Sequence, residues 1–335
     1  MEKIINKQNV LIFIACLIGV WIGYVTTTRE DKKKEETVLS QIHSIREKDN
    51  KYKFINPLLA YDLPESKDFG EYLQLEQKLN DLVNSEKSQQ NVDQVSVYFR
   101  GTQGHWVGIN DTENYYPASL LKIVVMIAYY QQAQTNPDIL NKNLIYTTSI
   151  QNQFTTSEFN TPSALKLNTD YKVDDLIHAM IIQSDNGATF TLLNSLDNKA
   201  LDEVYSDLGL QPPKDSANYQ ISTKDYSLFF RILYNATYLN REYSDKALFL
   251  LSQTNFKDGL IAGMPSNVII AHKFGEHVLT DSNGVQTGVE LHDCGLVYTQ
   301  KVFLLCVMTR GQKVENLEKT IADIARLVYN EAGNE

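Results

Sequence analysis

The chain reads as an α+β protein: one antiparallel sheet built from both ends of the chain, flanked by helices, with a mostly helical second lobe. Three observations predict this. Apolar residues alternate with period two at Val95–Phe99 and again in stretches after Asn267. The long region between these strands carries helical spacing instead. A final amphipathic helix, Val314–Tyr329, follows the last strand.

The chain has 335 residues and a formal net charge of −10. Residues 1–9 form a short polar tail. Val10–Val25 is unbroken apolar sequence with no charge between Lys7 and Arg29. With the threonines that follow, residues 10–27 are just long enough to cross a bilayer, and Trp21 and Tyr24 suit its interface. An uncleaved single-pass anchor is the favoured reading, because the run is long for a signal peptide and no A-x-A cleavage site follows it. The flanking charges, Lys3 and Lys7 against Arg29 and Lys32–Lys34, would by themselves leave the following domain on the cytoplasmic side. Residues 28–68 are charged and polar and read as a stalk or linker, and residues 69–331 as the folded domain.

Within that domain, Phe69–Ser88 has the apolar spacing of a helix. Val95–Phe99 and His105–Ile109 form a hairpin around Gly101–Gly104. Helices follow over Asp174–Gln183, then after the junction Ser184-Asp185-Asn186-Gly187 to about Leu196, and over Ala200–Leu208. Ser222 caps another helix with Asp225 three residues on, and Ser244–Ser252 is shorter. Asn267–Phe274 reads as a strand ending at Gly275, and Cys294–Tyr298 with Val302–Thr309 as a hairpin around Gln300-Lys301. Of the three cysteines, Cys294 and Cys306 fall in these strands. Two buried free thiols are the favoured reading, with a disulfide as the alternative.

The most informative stretch is Tyr116-Pro117-Ala118-Ser119-Leu120-Leu121-Lys122, which leads into the apolar run Ile123–Tyr130. Pro117 suits a helix start, and a helix apolar on every face is buried on every face. Lys122 breaks that pattern three residues after Ser119, on the same helical face. Burial lowers a lysine pKa, and a near-neutral amine beside a serine at a helix start can take its hydroxyl proton.

S-x-x-K alone is a common tetrapeptide. Two further short motifs follow it: Ser184-Asp185-Asn186 at a helix-to-helix junction, and Lys273-Phe274-Gly275 at a strand end. Each taken singly is an ordinary cap or strand terminus. In this order, on these elements, the set resembles the class A β-lactamases and the wider penicillin-recognising serine enzymes, over roughly Glu71–Asn330. Tyr116-Pro117-Ala118 and His292-Asp293-Cys294-Gly295-Leu296-Val297-Tyr298 extend the likeness.

The resemblance implies roles. Ser119 is the acylated nucleophile and Lys122 its base or proton relay. Ser184 passes a proton to the leaving nitrogen with help from Lys273, which also attracts a substrate carboxylate. Asn186 holds the substrate amide and contacts Lys122, while Asp185 anchors its loop. Gly275 permits close approach, and the N–H groups of Ser119 and Glu276 form the oxyanion hole. The expected substrate is a β-lactam or a D-Ala-D-Ala-type stem peptide of the cell wall. The resemblance implies a domain outside the cytoplasmic membrane, against the charge count. No metal or organic cofactor is implied.

Two features depart from the family. Phe274 stands where a threonine or serine hydroxyl normally binds the substrate carboxylate. The stretch Gly209–Gln220 is short and lacks the glutamate that activates the deacylating water. Its single carboxylate, Asp215, reads as an exposed turn residue. Acylation with slow turnover is therefore expected, and a non-catalytic penicillin-binding or scaffold module, or an esterase using the same Ser–Lys pair, are the alternatives.

Other classes are disfavoured. The acidic balance argues against nonspecific nucleic-acid binding. There is no CxxC, HExxH, GxGxxG, P-loop or G-x-S-x-G. His178 and His277 have no readable partner, and His105 reads as packing.

Overall fold

The computed structural model describes residues 46, 51–57, 72–102, 104–147, 164–215 and 218–333. The expected span at 10–27 lies outside them, and among the described residues no helix is long and apolar enough to cross a membrane.

The main sheet has five antiparallel strands in the order β2-β1-β9-β8-β7. Its members are β1 (Gln94–Gly101), β2 (Trp106–Ile109), β7 (Ile269–Thr280), β8 (Gln286–Tyr298) and β9 (Phe303–Gly311). The two ends of the chain meet at β1 and β9, where Tyr98 lies opposite Cys306 and Val97 opposite Val307. One face packs against α1 (Leu73–Ser88) and α8 (Val314–Ala332) in a core that includes Leu79, Val97, Phe99, Leu305 and Ile321. The other face meets the helical lobe. The centre of that lobe is α2 (Lys122–Ala133), buried at every position from Lys122 to Tyr130 as its sequence requires. Around it lie α3 (Val173–Ile182), α4 (Asn186–Ser195), α5 (Asn198–Asp207), α6 (Thr223–Tyr234) and α7 (Arg241–Leu251).

Ser222 caps α6 as expected: its Oγ accepts the Asp225 N–H at 3.1 Å and its hydroxyl lies 2.9 Å from the Asp225 carboxylate. Two small ribbons were not anticipated. They pair β3 (Asn114–Tyr115) with β6 (Ile221–Ser222), and β4 (Asn143–Tyr146) with β5 (Thr169–Lys172).

Three corrections bear on the site. The strand carrying Lys273 does not end at Gly275 but runs on to Thr280, so Lys273 and Gly275 are mid-strand. Its partner β8 begins at Gln286, well before Cys294. Cys294 and Cys306 are cross-strand neighbours joined in a disulfide, not two free thiols, because the β8–β9 register sets them directly opposite each other.

Part of the segment assigned to the linker is docked on the domain. The Phe54 N–H donates to Asp245 at 2.7 Å, and its carbonyl accepts the Tyr298 hydroxyl at 2.9 Å. Arg46 reaches the Asn56 carbonyl at 2.6 Å and the Asn235 side chain at 2.9 Å.

Candidate active site

Ser119 lies on a 3₁₀ turn, Ala118–Leu121, that runs directly into α2, so Lys122 is the first residue of the helix. A 3₁₀ repeat of three residues stacks positions i and i+3, which puts Ser119 and Lys122 on one face. The turn is closed by the Leu120 N–H on the Pro117 carbonyl at 3.0 Å. The Tyr226 hydroxyl holds the Leu120 carbonyl at 3.0 Å. Ala118, immediately before the serine, has φ +48°, a left-handed backbone at a residue with a side chain.

Lys122 is 4% exposed. Its Nζ donates to the Ser184 carbonyl at 2.5 Å, the Asn186 Oδ1 at 2.7 Å and the Ser184 Oγ at 3.0 Å. All three partners are uncharged. Burial, reinforced by the charge of Lys273 and opposed by Asp185, holds the Lys122 pKa well below its ordinary value. Two of the partners are carbonyl oxygens that only accept, so a neutral amine keeps both bonds and retains a lone pair for a hydroxyl.

Those partners come from the turn between α3 and α4. Ser184 also has a left-handed backbone, φ +56°, which turns its carbonyl and hydroxyl onto Lys122. Asp185 caps α4 by accepting the Ala188 N–H at 2.7 Å, and the Tyr146 hydroxyl bonds the same oxygen at 3.2 Å. The anchoring expected of Asp185 is thus its observed contact.

Lys273 reaches the same place from β7. Its Nζ donates to the Ser184 Oγ at 3.0 Å and to the Phe274 carbonyl at 3.2 Å, and lies 4.4 Å from the Phe274 ring centre. Burial lowers its pKa to about 7, opposed by the charge of Asp293. The Ser184 Oγ accepts from Lys273, and because a neutral Lys122 has no third N–H to give, the Ser184 hydroxyl can donate to the Lys122 lone pair.

Gly275 is where the strand meets the nucleophile turn. A Cβ there would lie 2.6 Å from the Pro117 carbonyl oxygen and 3.0 Å from Leu120 Cγ. Only glycine allows this approach. Ser119 and Glu276, whose N–H groups are expected to bind an oxyanion, flank that contact in their two segments. The structure thus gathers Ser119, Lys122, Ser184, Asn186, Lys273, Gly275 and Glu276 where three elements converge.

The Phe274 ring that flanks the Lys273 ammonium is itself buried. It stacks on Phe256, with centroids 4.2 Å apart and planes 19° apart. Asp215 is an exposed turn residue, its carboxylate taken by Asn218 Nδ2 at 2.6 Å.

Sequence reasoning missed two buried clusters behind the site and one part-buried ring contact beside it. His272 Nδ1 lies 2.8 Å from Asp293 Oδ1, and the other Asp293 oxygen accepts the Leu260 N–H at 2.9 Å. Glu290, His292 and Arg310 form a second cluster beside Tyr116. His277, which had no readable partner, stacks on the Tyr116 ring. The period-two pattern of a strand does not announce buried charges.

A serine on a helix-initiating turn, with a buried lysine one turn on and a second lysine sharing its serine partner, defines a serine hydrolase site of the Ser–Lys kind. The sequence profile of the β-lactamase enzyme family matches residues 74–332, and the chain belongs to that family. Solved structures share the fold. PBP-A superposes with a TM-score of 0.65 at 20% identity, over 80% of this chain and 97% of its own. A PBP-A variant in an acyl-enzyme complex with penicillin G gives 0.64 at 20% identity, over 80% and 97%. A β-lactamase from Chitinophaga pinensis gives 0.62 at 18% identity, over 77% and 99%. No curated protein sequence matches the chain.

Proposed function

We propose that the chain is a membrane-anchored serine acyl-transfer enzyme, acylated at Ser119 by a β-lactam or by a D-Ala-D-Ala-type stem peptide. The observation that carries this reading is Lys122: buried, held by three neutral oxygens, and one turn from Ser119.

In the forward step the Lys122 amine takes the Ser119 hydroxyl proton as Oγ bonds the substrate carbonyl carbon. The Ser119 and Glu276 N–H groups receive the oxyanion. The C–N bond then breaks, and the leaving nitrogen takes the Ser184 proton, which the adjoining lysines replace. Asn186 holds the acyl amide while its Oδ1 orients Lys122. Deacylation is slow, because the stretch from Gly209 to Gln220 holds no glutamate and Asp215 is engaged by Asn218. The apolar run at 10–27 supports anchoring, and family membership supports a domain outside the cytoplasmic membrane.

The test is intact-protein mass spectrometry of the domain with penicillin G over time, with Ser119→Ala in parallel. A persistent adduct of one opened penicillin that requires Ser119 is expected. An adduct that clears quickly would show that a deacylation base exists, and no adduct at high concentration would sink the acyl-transfer reading.

Phe274 favours a second reading, a penicillin-binding or scaffold module without turnover, because its side chain is committed to the core where a substrate-binding hydroxyl would stand. Survival of the cellular effect in Ser119→Ala would select it over the enzyme. Hydrolysis of small acyl esters alone would select an esterase.

A further inference from the structure

Tyr116 lies three residues before Ser119, and its N–H, its carbonyl and its ring are each held by a different side chain of the sheet. Its N–H donates to Glu290 Oε2 at 2.9 Å. Its carbonyl accepts from His292 Nε2 at 3.1 Å. Its ring stacks on His277 with centroids 4.6 Å apart. Glu290 and His292 both sit on β8 and are fully buried.

The cluster fixes its own hydrogen positions. The Thr309 N–H donates to His292 Nδ1 at 3.3 Å, so Nδ1 is the acceptor and Nε2 carries the proton that Tyr116 receives. The second Glu290 oxygen accepts from Arg310 Nε at 2.7 Å, which anchors the carboxylate from β9.

Neither group is needed to align the strands. β8 is already paired along its length with β7 and β9. Buried charged and polar groups are costly, and they persist where they serve something local. The local feature here is Ala118, whose left-handed backbone survives only where its surroundings over-determine it. On its C-terminal side the turn is pressed against Gly275. On its N-terminal side the Tyr116 backbone is the fixed point.

We propose that Glu290 and His292 are positioning residues for Ser119: by holding both backbone polar groups of Tyr116, they set the strained turn that presents the serine hydroxyl to Lys122. This rests on the reading of Ser119 as the nucleophile. The two residues touch neither substrate nor reacting atoms and act through the turn alone.

The test compares acylation by penicillin G, read by intact-protein mass spectrometry, in the wild type, His292→Leu, His292→Gln and Glu290→Gln, with a melting temperature for each. Glutamine keeps an N–H near the position of Nε2, and leucine does not. His292→Leu slows acylation of the folded protein by about 10- to 100-fold, the scale of a small misplacement of reacting groups. The loss falls on the limiting rate at saturating penicillin, not on the concentration for half-saturation, and His292→Gln recovers most of it. A lowered melting temperature with wild-type acylation per folded molecule would overturn the proposal. If His292→Leu does not fold, Glu290→Gln decides: it keeps the shape but cannot accept from both Tyr116 and Arg310, so slow acylation supports the proposal and a wild-type rate overturns it. Absence of an adduct on the wild type would overturn the nucleophile reading and this proposal together, whereas normal wild-type acylation with unaffected variants would overturn this proposal alone.

Discussion

Lys122 and Lys273 meet on one atom, the Oγ of Ser184, each at 3.0 Å. Two buried cations on one neutral oxygen repel, so the pair titrates as a unit. In the proposed mechanism, acylation needs Lys122 as the amine and Lys273 as the ammonium. The acylation rate therefore falls with rising pH as Lys273 loses its proton at about 7, and falls with decreasing pH as Lys122 gains one. A pH–rate profile for adduct formation checks this. A profile without an alkaline limb would remove the ammonium of Lys273 from the mechanism.

Stability follows the same lysine with a definite sign. The folded pKa of about 7 lies below the ordinary 10.5. Below the folded value both states hold the proton and the full cost of burying it is present. Between the two values the unfolded chain binds more protons, so stability rises with pH. Lys273→Met removes that slope and raises stability on the acid side by about 1 kcal/mol or more, as replacing buried charge by packed apolar groups commonly does. Urea titrations of both proteins at a series of pH values measure it.

Phe274→Thr restores a hydroxyl at the expense of the stack on Phe256. The variant should bind carboxylate-bearing β-lactams about tenfold more tightly in the step before acylation, the worth of roughly one hydrogen bond to a charged group. It should lose about 3 kcal/mol of stability to the vacated core. Concentration dependence of the acylation rate, with thermal melts, tests both halves. Unchanged affinity would mean that this strand does not contact the carboxylate.

The Cys294–Cys306 bond closes a loop of sequence separation 12. Replacing both with alanine should cost about 3 kcal/mol in the chain-entropy picture, with some further loss of packing. Because Cys294 lies beside Lys273 in the β7–β8 register, acylation rates of the folded variant show whether the disulfide also steadies the site. A variant as stable as the wild type would mean that the strand pairing already fixes this loop.

Much of the fold was legible because its large elements are periodic. The α2 run, the β1–β2 hairpin and the last helix declare themselves by apolar spacing, and joining both chain ends in one sheet follows from their order. The β3–β6 ribbon has two residues per strand, too few to show any period. Reading β7 as ending at Gly275 was wrong about the strand, which runs on to Thr280, while the close approach expected at that glycine is made by the Pro117 carbonyl. β8 was cut short because Glu290, His292 and Asp293 look polar in sequence, while each is buried and satisfied by residues far along the chain. The site's serines and lysines were legible through their order on helix start, junction and strand. The groups that hold Tyr116 were not, because a hydrogen bond across 174 residues leaves no local pattern.

Gly275 also bounds how this enzyme could evolve. The missing side chain is a keyhole through which strand and nucleophile turn touch, and any larger residue would push them apart. Selection for a new substrate cannot pass through that position. It must act on Glu276 and His277, which are only part-buried. A saturation library at all three sites, sorted for adduct formation, should return glycine alone at 275 and many residues at its two neighbours.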